Sequence, residues 1–463
     1  MIKNYSEAHD IGLQNTKEDS LTSPKPALRL IDAIVLITGI VIGAGIFRSP
    51  SVVAANTVDG YWFLFVWVLG GIISLIGALC YSELSAAFPS TGGDYHFLKL
   101  AFGKLFSFLF AWARITIVQT GSIALLAFII GDYMSQVYDL GKYTSSLYTV
   151  GVVILLTLIN VLGIKFGTGI QKALSALQFA GIFIIVFTGF FIEPANSAMS
   201  VAEAYEPPVN PSLSLAFIFV LLTFGGWNEA AYISSELKAG SRKMSFVLIA
   251  SLFIITVVYL LVNLAFLNVL GLEGIAASEA VGASMMQATL GQTGVVLIGL
   301  LVCLSALTSL NTTIFTGARS SYSFGKDFNR FSFLGKWNNK KSAPVNSLLA
   351  QGGIAILLIV FGAFARNGFE AMVDFTAPVF WFFFLCTGIG LIILRQKKPD
   401  VPRPFKVPLY PFTPIVFIGF SAYLLYSSLM VTGIGSLLGV SILLLGLLVY
   451  FFSIKKEYKK DVI

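Results

Sequence analysis

Two short glycine-containing segments interrupt long apolar stretches of the sequence, at residues 42–47 (IGAGIF) and 223–228 (TFGGWN). If a membrane helix unwinds at such a segment, its freed backbone N–H and C=O groups need new partners, because an unpaired group in lipid costs several kcal/mol. A molecule that carries both a carboxylate and an ammonium group can supply both kinds of partner. The two segments together therefore predict a binding site for a zwitterion.

The backbone of the two segments would share this ligand between donors and acceptors. The carboxylate would accept from N–H groups at the positive end of the half-helix that follows the first break, at Ala44, Gly45 and Ile46. The ammonium group would donate to the carbonyl oxygens of Val41, Leu222, Thr223 and Phe224. The whole predicted site comprises Val41, Ile42, Gly43, Ala44, Gly45, Ile46, Leu222, Thr223, Phe224, Gly225, Trp227 and Asn228.

Charged residues inside apolar stretches are functional candidates, because burying a charge in lipid is costly. Arg48 and Asp374 are expected at similar depths on the outer side, where an Arg–carboxylate pair would act as an outer gate. The alternative is that Arg48 reaches the outer headgroups and Asp374 caps a helix. Arg114 and Glu229 are expected at similar depths on the inner side, either as an ion pair or in separate watery cavities.

Three further charges lie near the inner ends of apolar stretches, at Glu83, Glu236 and Arg319. Their long side chains could reach the membrane surface while their stems stay in the apolar region. The alternative is that they form a network that gates the inner side. The sequence leaves both interpretations open.

The composition indicates that lipid surrounds most of this chain. Of its 463 residues, 56% are hydrophobic and 11% charged, whereas a soluble domain carries about 25% charged residues. The net charge of +7 does not indicate nucleic-acid binding, because the basic residues lie in short loops between apolar stretches. The three cysteines lie inside apolar stretches, and no phosphate loop, metal-ligand or nucleophile signature is present. An enzyme or an ATP-driven pump is therefore not predicted.

Twelve apolar stretches are long enough to cross a membrane, which takes about 20 residues, and they must be helices because open sheets cannot span lipid. With the N-terminus in the cytoplasm, 26 of the 30 Lys and Arg residues fall on the inner side, and the outer loops hold only Lys142 and Arg366. This asymmetry predicts that both termini are cytoplasmic. The predicted spans are 31–55, 61–88, 104–131, 145–163, 171–192, 213–236, 245–270, 293–318, 346–365, 371–394, 410–430 and 434–454.

The two glycine-containing segments fall in the first and the sixth span, at corresponding places in two halves of five spans each. Because five is odd, the second half enters the membrane from the opposite side, which predicts an inverted repeat. Such matched interruptions indicate a transporter with a site at the repeat interface, although these glycines could instead serve close helix packing. The predicted parts are a disordered tail 1–29, a core 30–394 with repeats 30–192 and 213–394, two added helices in 395–454, and a tail 455–463.

Five stretches of the sequence resemble the amino acid–polyamine–organocation superfamily, most of all its L-type amino acid transporter branch and bacterial relatives. They are IGAGIFRSP (42–50), CYSELSAAFPSTGGDY (80–95), FGGWNEAAYISSEL (224–237), SLNTTIFTGARSSYSFGKD (309–327) and RPFKVP (403–408). The resemblance covers nearly the whole chain. It implies a five-plus-five inverted repeat with two extra C-terminal helices, and a substrate held at the unwound parts of the first and sixth helices.

The sequence departs from the pattern of this family at three places. Many relatives have Ser where this chain has Ala44, and an aromatic gate residue where it has Leu222. Many bacterial members carry, in the fifth helix, a Lys that replaces a sodium ion, and the matching residue here is Gln178. Since Gln cannot titrate, proton coupling centred on a lysine is not expected. Hydroxyl oxygens leave a sodium site possible, near Ser305, Thr308, Ser309 and Thr312.

The predicted function is secondary-active transport of amino acids across the plasma membrane, by exchange or by ion symport. A polyamine carrier would need acidic residues near the site, and Glu229 is the obvious candidate. A membrane sensor would call for a soluble output domain, and a channel fits two broken helices less well. Eukaryotic relatives bind a glycoprotein chain through a cysteine that the loop 132–144 lacks, so no such partner is expected.

Overall fold

The chain is described by a computed structural model. The described residues are 29–90, 92–162, 168–193, 211–237, 243–339, 341, 343–365, 367–431 and 434–460. Within these ranges the fold is all-helical, apart from an isolated bridge between Asn338 and Ala343. The predicted tail 1–29 falls almost entirely outside them.

The first half of the described chain contains eight α-helices and two segments with other helical geometry. A 3₁₀ segment at Ala44–Phe47 follows α1, and a π-helical turn at Arg114–Val118 separates α5 from α6. The helices are α1 (Leu30–Val41), α2 (Ser49–Ala55), α3 (Gly60–Ala87), α4 (Gly93–Phe102), α5 (Lys104–Ala113), α6 (Gln119–Val137), α7 (Thr144–Val161) and α8 (Thr168–Phe191).

The second half contains seven α-helices, with 3₁₀ segments at Trp227–Glu236 and Asn329–Phe331. Gly271 in α10 and Gly291 in α11 have positive φ angles, so the chain bends there and the short helical pieces 272–276 and 281–290 are set off from the long helices on either side. The helices are α9 (Leu213–Thr223), α10 (Met244–Ala276), α11 (Val281–Asp327), α12 (Val345–Ala363), α13 (Gly368–Lys397), α14 (Phe412–Val431) and α15 (Ile434–Lys460).

Ten helical stretches of the described chain are long and apolar enough to cross a membrane. Two shorter apolar helices, Leu30–Val41 and Ala176–Phe191, lie where the first and fifth spans were predicted. The chain is thus an all-α membrane protein, while the count of twelve spans stays a prediction. Cys80, Cys303 and Cys386 are all free and buried, as their place in apolar stretches predicts.

The two glycine-containing segments interrupt their helices where the sequence predicts. Helix α1 ends at Val41, and α2 begins only at Ser49, after the 3₁₀ segment. Helix α9 ends at Thr223, and Gly226 then adopts a left-handed conformation (φ 105°) that favours glycine because it has no Cβ. The sequence therefore located both interruptions correctly.

Helix α3 supports the second interruption through a glycine face. The Cβ of any other residue at Gly70 would lie 2.4 Å from Cγ1 of Val220, and at Gly77 it would lie 2.8 Å from the ring of Trp227. These distances are shorter than van der Waals contact, so only glycine lets α3 lie this close to both sides of the break. Close packing of α3 and the break after α9 thus occur at the same place.

Candidate functional site

The first break begins with two backbone N–H groups that have no partner within their own helical segment. In a 3₁₀ helix each N–H donates to the carbonyl three residues earlier, and Gly43 is the N-cap of the segment Ala44–Phe47. The N–H groups of Ala44 and Gly45 therefore precede the first internal bond, whereas that of Ile46 can reach the Gly43 carbonyl. Two of the three predicted carboxylate donors remain without a partner inside the segment.

The two breaks contact each other. A Cβ on Gly45 would lie 3.6 Å from Cγ2 of Thr223, at the end of α9. A Cβ on Gly226 would lie 3.0 Å from Cγ2 of Ile40, at the end of α1. Each break thus lies against the helix end of the other, and the predicted donors and acceptors come together at one place.

The carbonyl oxygens at this place are already partly used. The Val41 oxygen accepts the Gly43 N–H at 2.7 Å and the Tyr259 hydroxyl at 2.8 Å, which uses both of its lone pairs. The Leu222 oxygen accepts the Gly225 N–H at 2.9 Å, and the Thr223 oxygen accepts the Tyr259 hydroxyl at 3.0 Å. The sequence analysis missed Tyr259, because nothing near it in α10 marks it as different from other aromatic residues of membrane helices.

The predicted aromatic residues of the second break pack against neighbouring helices. Phe224 is fully buried and packs at 5.0 Å from Tyr259 and 6.3 Å from Trp67. Trp227 is buried and packs at 5.1 Å from Tyr81 of α3 and 5.4 Å from Phe384 of α13. Their side chains therefore hold the second break against α3, α10 and α13.

Arg48, predicted on the outer side, forms an ion pair with Asp132 of α6, whereas the sequence predicted Asp374 as its partner. The guanidinium Nε lies 3.6 Å from the Asp132 carboxylate, and the Ser145 hydroxyl donates to that carboxylate at 2.6 Å. The Arg48 side chain is 2% exposed, so it does not reach the headgroups either. The sequence analysis did not single out Asp132, which lies just beyond the predicted third span 104–131. Asp374 instead lies against Gly435 of α15.

The outer half of the first broken helix is sealed. All residues from Ser49 to Ala54 in α2 are buried. The Tyr133 hydroxyl of α6 donates to the Phe47 carbonyl at 3.1 Å. The inner half, by contrast, exposes several apolar side chains of α1, including Ile31 and Ile40. The residues of α2 are therefore more enclosed than those of α1.

On the inner side, Arg114 and Glu229 form the ion pair that their depths predicted. One terminal nitrogen of Arg114 lies 3.3 and 3.4 Å from the two carboxylate oxygens of Glu229. The two side chains are 14% and 37% exposed. Arg114 begins the π-helical turn, and Glu229 lies three residues after the left-handed Gly226.

Glu83 anchors the loop that contains the RPFKVP stretch. It is 1% exposed, accepts from Nε of Arg395 at 2.6 Å and from the Val407 N–H at 2.7 Å, and pairs with Arg403 at 3.4 Å. Reaching the membrane surface is therefore the wrong interpretation for Glu83. Arg319 donates to the Phe315 carbonyl of its own helix at 3.2 Å, and the side chain of Glu236 lies outside the described residues.

A buried carboxylate that the sequence analysis did not single out lies near the inner pair. Asp94 of α4 is buried, accepts from the Thr387 hydroxyl at 3.3 Å and lies beside the Tyr81 hydroxyl. Burial, with a smaller contribution from Glu229, raises the pKa of this carboxyl to about 6, although the Tyr81 hydrogen bond and Arg114 act to lower it. Since Tyr81 also stacks on Trp227, Asp94 is connected by contacts to the second break.

The side chains of Gln178 and of the hydroxyl residues in α11 do not satisfy one another's hydrogen bonds. Gln178 and Ser305 are buried, and their amide nitrogen and hydroxyl have no hydrogen-bond partner among the described residues. Thr308 and Thr312 donate to carbonyls of their own helix at 2.9 Å. Hydroxyl oxygens could still accept a hard cation, but the free amide of Gln178 adds a donor, so sodium binding here stays a prediction.

Comparison with known proteins places the chain among transporters. The family model described as amino acid permease matches residues 28–452. The b(0,+)-type amino acid transporter 1 of Rattus norvegicus is 28% identical over 96% of this chain and 91% of that protein. The large neutral amino acids transporter small subunit 2 of Mus musculus is 29% identical, over 94% and 82%. The Asc-type amino acid transporter 1 of Mus musculus is 28% identical, over 93% and 81%.

Proposed function

The chain belongs to the amino acid permease family, and from this premise we propose that it carries amino acids across the plasma membrane by alternating access. The observation that carries the proposal is the contact between the two helix breaks, where Gly45 lies against Thr223 and Gly226 against Ile40. Free N–H groups at Ala44 and Gly45 suit a carboxylate. The carbonyl oxygen of Phe224 suits an ammonium group, and so does the remaining lone pair on the carbonyl oxygen of Thr223.

The two ion pairs supply the alternation. The helical stretch Lys104–Val137 contributes Asp132 at one end and Arg114 near the other, eighteen residues or roughly 27 Å apart along a helix. Arg48 follows the first break and Glu229 follows the second. In this structure both pairs are formed. When the broken helices rock against this stretch, one pair breaks while the other holds, so the site opens to one side at a time.

The topology of the proposed carrier has twelve spans, an inverted repeat and two cytoplasmic termini. The asymmetry of Lys and Arg between alternating loops supports it, and so do the two interruptions, one between α1 and α2 and one directly after α9. Protease digestion of tags on both termini in inside-out vesicles tests the orientation. Both tags should be cleaved without detergent, and protection of either tag would contradict the proposed topology.

A polyamine carrier gains no support from the geometry. Its substrate would need a free carboxylate, and Glu229 was the residue that the sequence offered. Glu229 instead lies 3.3 Å from Arg114, which already compensates its charge. Whether the carrier works by exchange or by symport is decided by the transport experiment that follows.

Purified protein in proteoliposomes tests the proposed function. With unlabelled amino acids inside, a panel of radiolabelled amino acids should show saturable counterflow, while amines without a carboxylate and acids without an ammonium group should not enter. Repeating the assay with a sodium or pH gradient alone separates symport, which these gradients drive, from exchange, which needs internal amino acid. Absence of counterflow for every amino acid would contradict the proposal.

Substitution of Gly45 locates the site within the same assay. Gly45→Val places two methyl groups where the carboxylate must approach the backbone, so counterflow should fall at least tenfold in correctly inserted protein. Gly353→Val is the matched control, because a Cβ on Gly353 of α12 meets open space. Normal transport by Gly45→Val would place the site elsewhere.

A further inference from the structure

A cavity lined by basic side chains opens beside the RPFKVP stretch. Its volume is about 200 Å³, and it is lined by Arg395, Pro399, Arg403 and Lys406. One water molecule needs about 10–15 Å³ of such space, so a phosphate group fits into the cavity. None of the four lining residues is acidic, and the cavity therefore suits an anion.

The positive charge of this cavity is only partly balanced. Glu83 pairs with both arginines, through Nε and Nη2 of Arg395 and through Nε of Arg403. One carboxylate against two guanidinium groups leaves one positive charge, and Lys406 adds a second. Lys406 is exposed, and it forms no ion pair with any residue that the structure describes. Asp400 is also exposed and pairs with none of these groups, so a net positive charge remains.

Two donors of the cavity are available to a ligand. The guanidinium group of Arg395 is held by Glu83 on one side and lies 3.7 Å from the centre of the Tyr410 ring, which leaves Nη1 without a partner among the described residues. Arg403, by contrast, donates from both terminal nitrogens to backbone carbonyls. Arginine and lysine are the residues that bind phosphate groups. Nη1 of Arg395 and Nζ of Lys406 can therefore donate to a phosphate.

The cavity lies at a membrane boundary, because the segment that forms it joins two candidate spans, Gly368–Lys397 and Phe412–Met430. Exposed apolar surface begins three residues after Lys406, at Leu409, Phe412 and Ile415. Leu409 has a φ angle of 52°, which is uncommon for a residue other than glycine. This exposed leucine is thus kept at a cost to the backbone, as happens at ligand-binding sites.

We propose that this cavity binds the phosphate of an anionic phospholipid, whose acyl chains lie along Leu409, Phe412 and Ile415. Basic pockets between membrane helices bind such headgroups. A free phosphate ion would use the cavity alone, whereas a lipid uses the cavity and the apolar surface next to it. Since Glu83 joins α3 to the segment between α13 and α14, the bound lipid stabilises the folded protein at this junction. The inference does not depend on the proposed transport.

Thermal unfolding of the purified full-length chain in detergent tests the choice of ligand. Phosphatidylglycerol should raise the melting temperature more than phosphatidylcholine with the same acyl chains, because the first lipid has a net negative charge and the second has none. Glycerol 3-phosphate at the same concentration should produce no shift, because it lacks the chains. Equal shifts from the two lipids would overturn the inference. A shift from glycerol 3-phosphate as large as that from phosphatidylglycerol would also overturn it and assign the cavity to a free anion.

Substitution of Lys406 tests the place of binding. Lys406→Gln removes one charge and no ion pair, so the phosphatidylglycerol concentration that gives half of the shift should rise about fivefold, as expected for one basic residue at an anionic membrane surface. Lys336→Gln is the matched control, because Lys336 is also an exposed loop lysine but does not line the cavity. Equal changes in the two variants would overturn the inference, because the lipid would then respond to overall charge. The comparison of lipids on the unsubstituted chain decides the inference even if a variant does not fold.

Discussion

Two Arg–carboxylate pairs join the broken helices to the same helical stretch, and they differ mainly in their access to water. The outer pair, Arg48 with Asp132, is 2% and 13% exposed. The inner pair, Arg114 with Glu229, is 14% and 37% exposed. The same chemistry is therefore more enclosed at one end of the stretch than at the other.

This difference in exposure also predicts that the two ion pairs contribute unequally to the stability of the protein. Breaking a buried pair by removing one partner costs about 3–5 kcal/mol, because the other charge stays buried without compensation. An exposed pair contributes about 0.2–1 kcal/mol. The outer pair should thus dominate the stability of this state, while the inner pair can break and form during the cycle at little cost.

The largest expected effect comes from the outer pair. Arg48→Ala leaves the Asp132 carboxylate enclosed beside α6, so the protein should lose about 3–5 kcal/mol of stability in the closed state. Melting in detergent, followed by fluorescence-detected size exclusion, measures the loss. The double variant Arg48→Ala with Asp132→Ala should recover most of it, since no charge is left unpaired. Equal losses in the single and double variants would mean that the two residues do not act as a pair.

The inner pair should behave in the opposite way. Glu229→Gln removes the charge but keeps the size of the side chain, so stability should fall by less than about 1 kcal/mol. Transport should change more than stability, because closure of the inner side would lose its ion pair. The matched comparison is Arg48→Ala under the same conditions. A stability loss in Glu229→Gln as large as that in Arg48→Ala would remove the distinction between the two sides.

Asp94 gives a smaller effect that depends on pH. Burial raises the pKa of its carboxyl to about 6, so the folded protein binds more protons here than the unfolded chain, and stability falls as pH rises from about 4 to 6. Asp94→Asn should remove this slope and raise the melting temperature at pH 7.5 by a few degrees. Asp59→Asn is the control, because Asp59 is an exposed N-cap and Asn caps helices equally well. An unchanged slope in Asp94→Asn would assign the pH dependence to another group.

The sequence contained enough information to place both breaks and the inner pair. Glycines within apolar stretches are a local signal, and counting residues along a helix gives the depth of Arg114 and Glu229. Depth does not give the direction in which a side chain faces, and Arg48 pairs with Asp132, which the sequence analysis did not single out. Tyr259 and Asp94 were missed for a related reason. Their importance comes from groups far away in sequence, such as Val41, Thr223 and Thr387.

Accessibility of the first broken helix tests the central claim, that amino acids bind between the two breaks in a carrier closed on the side of α2. Ile40 lies against Gly226 and is 40% exposed, whereas Val53 of α2 is fully buried. The native cysteines are buried, so a cysteine introduced at either position can be labelled selectively with a membrane-impermeant maleimide in oriented proteoliposomes. Ile40→Cys should react from the inner side and be protected by a transported amino acid, while Val53→Cys should stay unreactive from the outer side without substrate. Labelling of Ile40→Cys that no amino acid slows would contradict the account.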